Sequence, residues 1–131
     1  MTGARVTIED QRTIQLLLAC CANRTAGRTG VAAQRAYRAA KRDLWLAVRG
    51  TARIEGRPVV GAAWLTYELR LSRVDWDGPI KALQDTVAGL LLDGGDDRAI
   101  VQATVTLERP SAGAHARVVC SAWPAPVLGE G

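Results

Sequence analysis

The chain has 131 residues, 48% hydrophobic and 23% charged, which is the balance of an ordinary globular protein with apolar residues for one core rather than two. Lys and Arg number 17 against 13 Asp and Glu, a net charge of +4, so the favoured partner is a polyanion, nucleic acid first among them. Three cysteines (Cys20, Cys21, Cys120) and a single histidine, His115, exclude a disulfide framework and nearly exclude structural zinc, and with no signal peptide and no apolar run near the ~20 residues that span a bilayer, a reducing cytoplasm and no membrane partner are expected.

Along the chain, residues 1–10 are polar enough for an N-terminal arm or a short strand, and Thr13 to Cys20 is a compact apolar run suited to a buried strand. Asn23 to Gly30 reads as a loop whose Arg24 and Arg28 sit among glycines and hydroxyls fit to contact phosphate. Val31 to Arg49 reads as a helix with Tyr37, Ala40, Leu44, Trp45 and Val48 inward, Gly50 as its stop, and Arg35, Arg38, Arg42 and Arg49 on a separate stripe. That stripe is either a solvated face or a row of phosphate contacts.

From Val59 to Leu71 apolar and other residues alternate, which predicts a strand leading to Asp75. A second helix is predicted from about Pro79 to Leu91, with Ile80, Leu83, Val87 and Leu90 buried and Lys81 and Asp85 on another face, either as a modest surface ion pair or with Asp85 orienting the lysine beside a metal. Gly94-Gly95 ends it, alternation at Val101, Ala103, Val105 and Leu107 marks a third strand, and Ala116 to Ala122 marks a fourth, before a flexible tail over 124–131. The fold class expected is therefore α+β, a single domain over 1–131 in the order β-α-β-α-β-β, a mixed sheet with two helices packed on it.

The chemistry concentrates at Asp75-Trp76-Asp77-Gly78-Pro79-Ile80-Lys81 and, one helix later, Asp96-Asp97. On an extended segment Asp75 and Asp77 project to one side, so they can converge on a single ion. Four close carboxylates repel unless a cation lies among them, which points to a divalent metal, Mg²⁺ or Mn²⁺, with Lys81 as a fixed positive charge beside it. The competing reading is structural: Asp77 before Gly78-Pro79 is also a good helix N-cap, and Asp93 to Asp97 an ordinary polar loop.

In order and spacing these fragments resemble the RusA family of Holliday-junction resolvases, small endodeoxyribonucleases encoded largely by bacteriophages and prophages. Asn23-Arg24 is similar to the family's Asn-Arg element, Tyr37-Arg38 to the start of its first helix, and Asp75-x-Asp77-x-Pro79-Ile80-Lys81-x-x-x-Asp85 to its D-x-D-N-P-I-K-x-x-x-D signature. Asp96-Asp97-Arg98-x-Ile100 is similar to the acidic pair that opens the next strand. The chain departs from the pattern at Gly78, where the family carries Asn, at Val74, often basic in relatives, and at Gly94-Gly95, which lengthen the loop.

The resemblance implies catalytic Mg²⁺ on Asp75, Asp77 and Asp97 with Asp96 nearby, Lys81 assisting, and a homodimer acting on four-way DNA in a bacterial or phage-infected cytoplasm. Arg24, Arg28, Arg35, Arg38 and Arg73 are the candidates for backbone contact, because phosphate contacts position DNA without reading sequence. Paired phosphodiester nicks in recombination and repair are then the expected activity. The alternatives are a nuclease preferring flaps or forks, and a non-catalytic basic nucleic-acid-binding protein.

Overall fold

The computed structural model describes residues 3–25, 31–72, 74, 78–110 and 115–126, side chains at 22–25 and 33 excepted. Its elements are β1 (Ala4–Ile8), α1 (Gln11–Thr25), α2 (Val31–Thr51), β2 (Arg53–Gly56), β3 (Ala63–Arg70), α3 (Gly78–Leu91), β4 (Ile100–Glu108) and β5 (Arg117–Pro124), with two single 3-10 turns at Asp93–Gly95 and Asp97–Ala99. The five strands form one mixed sheet in the order β2-β1-β5-β3-β4, with β3 and β4 parallel and the other pairs antiparallel. The expected α+β class with helices packed on a mixed sheet holds, but among the described residues there are three α-helices where two were expected.

The extra helix is the apolar run read as a strand. Asp10 caps it: the Thr13 backbone N–H donates to Asp10 Oδ2 at 3.0 Å, the Thr13 hydroxyl donates to the same oxygen at 2.9 Å, and the Ile14 N–H donates to the Asp10 carbonyl at 3.0 Å. Among its described side chains, Thr13, Ile14, Leu17, Cys20 and Cys21 are buried, a helical spacing that the unbroken Leu16-Leu17-Leu18 run conceals. The helix continues through Thr25, so the first part of the expected loop at Asn23 is its last turn. The strand that replaces it in the sheet is β1, within the segment left open between arm and strand; Val6 and Ile8 are wholly buried there, between β2 and β5.

The core lies between one sheet face and the helices. β1 contributes Val6 and Ile8, β3 Leu65, Tyr67 and Leu69, β5 Val118, Cys120 and Ala122, all buried. α1 packs on α2 and α3, and α3 lies across β1 and β5. The β3-α3-β4 crossover closes a parallel pair, so the chain leaves β3 at one end of the sheet and α3 carries it back along the sheet to the start of β4.

Three finer expectations shift. Burial alternates as expected only from Ala63 to Leu71, because Val60, Gly61 and Ala62 are all exposed; the strand starts at Ala63, and Val59 makes an isolated bridge to Leu92. β4 steps in register from Ala63↔Ile100 to Trp64↔Gln102, and Val101, the extra residue, is 60% exposed instead of inward. The tail expected from Pro124 starts later: Pro124 ends β5 and the Ala125 N–H donates to the Ala62 carbonyl at 2.9 Å, while 127–131 lie outside the described residues.

Burial also fixes the thiols and one phenol. The Cys20 thiol is pushed up to about 11 and Cys120 to about 12 by loss of solvation, so neither is a reactive thiolate. The Tyr67 hydroxyl is buried without a hydrogen-bond partner among the described residues, and burial, with Cys120 beside it, raises its pKa.

Candidate metal and nucleic-acid site

The chain on either side of the D-x-D pair is anchored. β3 ends at Arg70, and Val74 packs against the core while its carbonyl accepts a hydrogen bond from Arg109 Nη2 at 3.0 Å. α3 then starts at Gly78, with Pro79 in its first turn, where a missing N–H costs no helical hydrogen bond. Asp75 and Asp77 themselves lie outside the described residues, as do Arg28 and Arg73, and Arg24 falls in the last turn of α1 with its side chain also outside.

Lys81 stands in the N-terminal part of α3, about half exposed, with Nζ 3.2 Å from Asp85 Oδ1 one turn on. The expected pair is therefore formed, but it is half of a larger arrangement. Lys41 of α2 donates to Asp85 Oδ2 at 3.1 Å and lies 4.8 Å from the centroid of the Tyr37 ring. Both lysines of the chain thus meet on one carboxylate, which ties α2 to α3 and holds the Lys81 ammonium on the outer side of the helix.

The acidic pair after α3 divides into two roles. Gly94 and Gly95 have φ of +79° and +65°, the left-handed region where a side chain is strained. A Cβ on Gly95 would stand 3.3 Å from the Gly89 Cα, so the loop folds back closely against α3. This return brings Asp97 alongside the middle of the helix, where its Oδ2 accepts from Gln84 Nε2 at 2.9 Å. Lys81 precedes Gln84 by three residues, so the amide that holds Asp97 is a neighbour of the lysine on the helix surface.

Asp96 faces elsewhere. Its oxygens accept from the Arg98 backbone N–H at 2.9 Å, from Arg98 Nε at 3.1 and 3.2 Å, and from Nη2 at 2.9 Å. Those side-chain and backbone bonds hold its carboxyl below the usual range and stabilise it as the cap of the short turn that leads into β4. Among the described residues no three His, Cys, Asp or Glu side chains are grouped to hold a metal ion; the expected set includes Asp75 and Asp77, which are not among them.

Of the expected DNA contacts, Arg35 and Arg38 are both exposed on α2. A concavity of about 570 Å³, lined by Glu9, Gln11, Arg70, His115 and Arg117, adds positive charge at the end of the sheet where β3 releases the chain toward Asp75. Sequence reasoning missed Gln84, Lys41 and Arg109 as the groups that position Asp97, Asp85 and Val74. No pattern of types marks a lone Gln or a long-range Arg–carbonyl contact; only the Lys41–Asp85 pair had a compositional cue, the scarcity of lysine. Compared with known proteins, the sequence matches no family model and no curated protein.

Proposed function

We propose that the chain is a metal-dependent, structure-specific endodeoxyribonuclease of the RusA type, in which Asp75, Asp77 and Asp97 hold Mg²⁺ or Mn²⁺ and a homodimer resolves four-way DNA junctions by paired nicks. The observation that carries this reading is that Gln84, three residues after Lys81 on α3, bonds Asp97, and that α3 is the helix that opens immediately after Asp75-Trp76-Asp77. Asp97 is held by Gln84 as an outer partner orients a metal ligand. The bidentate pairing of Asp96 with Arg98 favours Asp97 over Asp96 as the ligand.

All-carboxylate donors without histidine suit a hard cation that keeps several waters. When bound, Mg²⁺ would polarise the scissile phosphate and acidify a water. The protein's own part is positional and electrostatic. Lys81 offsets charge gathering on the phosphate as the bond to the leaving oxygen breaks, and Asp85 restrains its swing without removing it from solvent. Exposed Arg35 and Arg38 supply sequence-independent phosphate contacts. A four-way junction has approximate two-fold symmetry, so a dyad-related pair of sites serves two opposed strands.

The test is cleavage of a four-way junction, a fork and a linear duplex, each with and without Mg²⁺. The expected result is junction cleavage that needs Mg²⁺ and is abolished in Asp75→Asn and Asp77→Asn proteins that still fold and bind DNA. Near-normal cutting by either variant would remove the metal site. A fork cut far faster than a junction would replace the resolvase reading with the flap or fork nuclease, and metal-independent binding with no cutting would leave the basic binding protein.

A further inference from the structure

On α2, Arg35, Arg38, Arg42, Trp45 and Arg49 recur at alternating steps of three and four residues, which lines all five along one side of the helix over about 21 Å. This is not the packing side: Leu44 and Val48 are wholly buried, whereas Arg35, Arg38 and Arg42 are exposed and Trp45, expected inward, keeps 42% of its surface in solvent. The single acidic residue of α2, Asp43, falls off this line.

The indole is held in place. The Arg49 guanidinium lies 3.6 Å from the Trp45 ring centroid, and its Nη1 donates to the Thr86 carbonyl of α3 at 2.9 Å and to the Trp45 carbonyl at 3.4 Å. One face of the ring is therefore covered by a cation that two backbone carbonyls fix, and Trp45 keeps 42% of its surface in solvent on the side of α2 that carries Arg38 and Arg42. That combination matches one ligand chemistry. Arginines spaced along a helix track a chain of phosphates, and an outward aromatic face stacks a base, which it can do only where the base is unpaired and free of its own stack.

We propose that this side of α2 binds nucleic acid and that Trp45 stacks an unpaired base while Arg35, Arg38 and Arg42 contact the flanking phosphates. The inference rests on the nucleic-acid part of the nuclease reading but needs neither metal nor cleavage. It also joins the two surfaces, because Lys41, beside Arg42 in the chain, meets Lys81 on Asp85. A strand lying on the α2 stripe is thereby led toward the α3 side that carries Lys81 and Asp97, and the branch point, where pairing is interrupted, is the part of the substrate that Trp45 reads.

The experiment is equilibrium binding by fluorescence anisotropy in EDTA, with four probes of matched sequence: a junction with unpaired nucleotides at its branch, a flapped duplex, a single strand and a blunt duplex. Trp45→Ala is expected to weaken the three probes with unpaired bases by about tenfold or more, the scale of one lost base stack, and blunt duplex by less than about twofold. Trp45→Phe, which keeps an aromatic face, should restore most of the loss, and oligonucleotide quenching of intrinsic fluorescence seen in the parent should fall in that variant. Arg38→Ala with Arg42→Ala should weaken all four probes and flatten the salt dependence by about two phosphate contacts.

Equal losses by Trp45→Ala on every probe, or none, would overturn the proposal, and so would undiminished quenching in the folded Trp45→Phe protein. Selective loss at unpaired bases in a protein that never cuts DNA would sustain it while removing the nuclease reading. Mg²⁺-dependent cutting with Trp45 inert would do the reverse.

Discussion

α3 carries two sides with opposite duties. Leu83, Val87 and Leu91 are wholly buried on one, while Lys81, Gln84 and Asp85 on the other make ion pairs and a hydrogen bond. Fourteen residues thus serve both the core and the proposed site, and the 3.6-residue period is what keeps the duties apart. A substitution on the inner side should act on stability whatever the chemistry, and one on the outer side should act on chemistry while the fold persists.

The sharpest contrast comes from the inner side. Leu83→Ala should lower unfolding free energy by about 2–5 kcal/mol, through lost burial and the cavity left behind, in urea or thermal unfolding. On the outer side, Lys81→Ala should slow cleavage of saturating junction by about 10², the scale of one well-placed electrostatic group, with unfolding free energy within about 0.5 kcal/mol of the parent. A large stability loss from Lys81→Ala would break the division.

A third substitution probes the core from its polar defect. Tyr67→Phe removes a buried hydroxyl that lacks a partner among the described residues, so it should raise stability by about 1 kcal/mol, where most core substitutions lower it. Asp85→Asn should have a smaller effect on stability, a few tenths of a kcal/mol, because the pairs it breaks are partly solvated. If Lys81 depends on Asp85 for its position, the same variant still slows cleavage. The smallest effect is in acid. The Asp10 carboxyl is held below its usual range by hydrogen bonds from Thr13, backbone first, so its contribution is present above the unfolded-state value near pH ~4 and is lost as pH falls through the lower folded-state value. The advantage of the parent over Asp10→Asn in thermal unfolding should shrink over that range.

What could be read from the chain follows from where two periods separate cleanly. α3 and β5 were legible because Leu83 and Val87, and Val118, Cys120 and Ala122, are spaced at one period without interruption. α1 was not, because Leu16 and Leu18 flank the buried Leu17 and make a helical stripe resemble a continuous apolar strand; the Asp10–Thr13 cap was the signal that would have decided it. Trp45 fits the apolar period of α2 by type but follows the arginine period by position, and its stack on Arg49 settles which prevails. β2 was passed over, since all four of its residues are exposed and carry no alternation of burial. At the proposed site, Lys81 and the acidic pair stood out by type, whereas the division between Asp96 and Asp97 depends on Arg98 and Gln84, two contacts that only the folded chain brings about.

The close approach of Gly95 to Gly89 gives the loop after α3 a ruler made of backbone alone. The approach of the Asp97 segment to the helix is set there by the missing Cβ of Gly95, and the neighbour it would meet is backbone, not a side chain that can give way. Gly95→Ala would put a methyl group 3.3 Å from the Gly89 Cα at a residue with φ of +65°, and would displace the Asp97 carboxylate from a position outside the proposed site, whereas a Cβ on Gly89 would meet only the Arg49 guanidinium at an ordinary 3.6 Å.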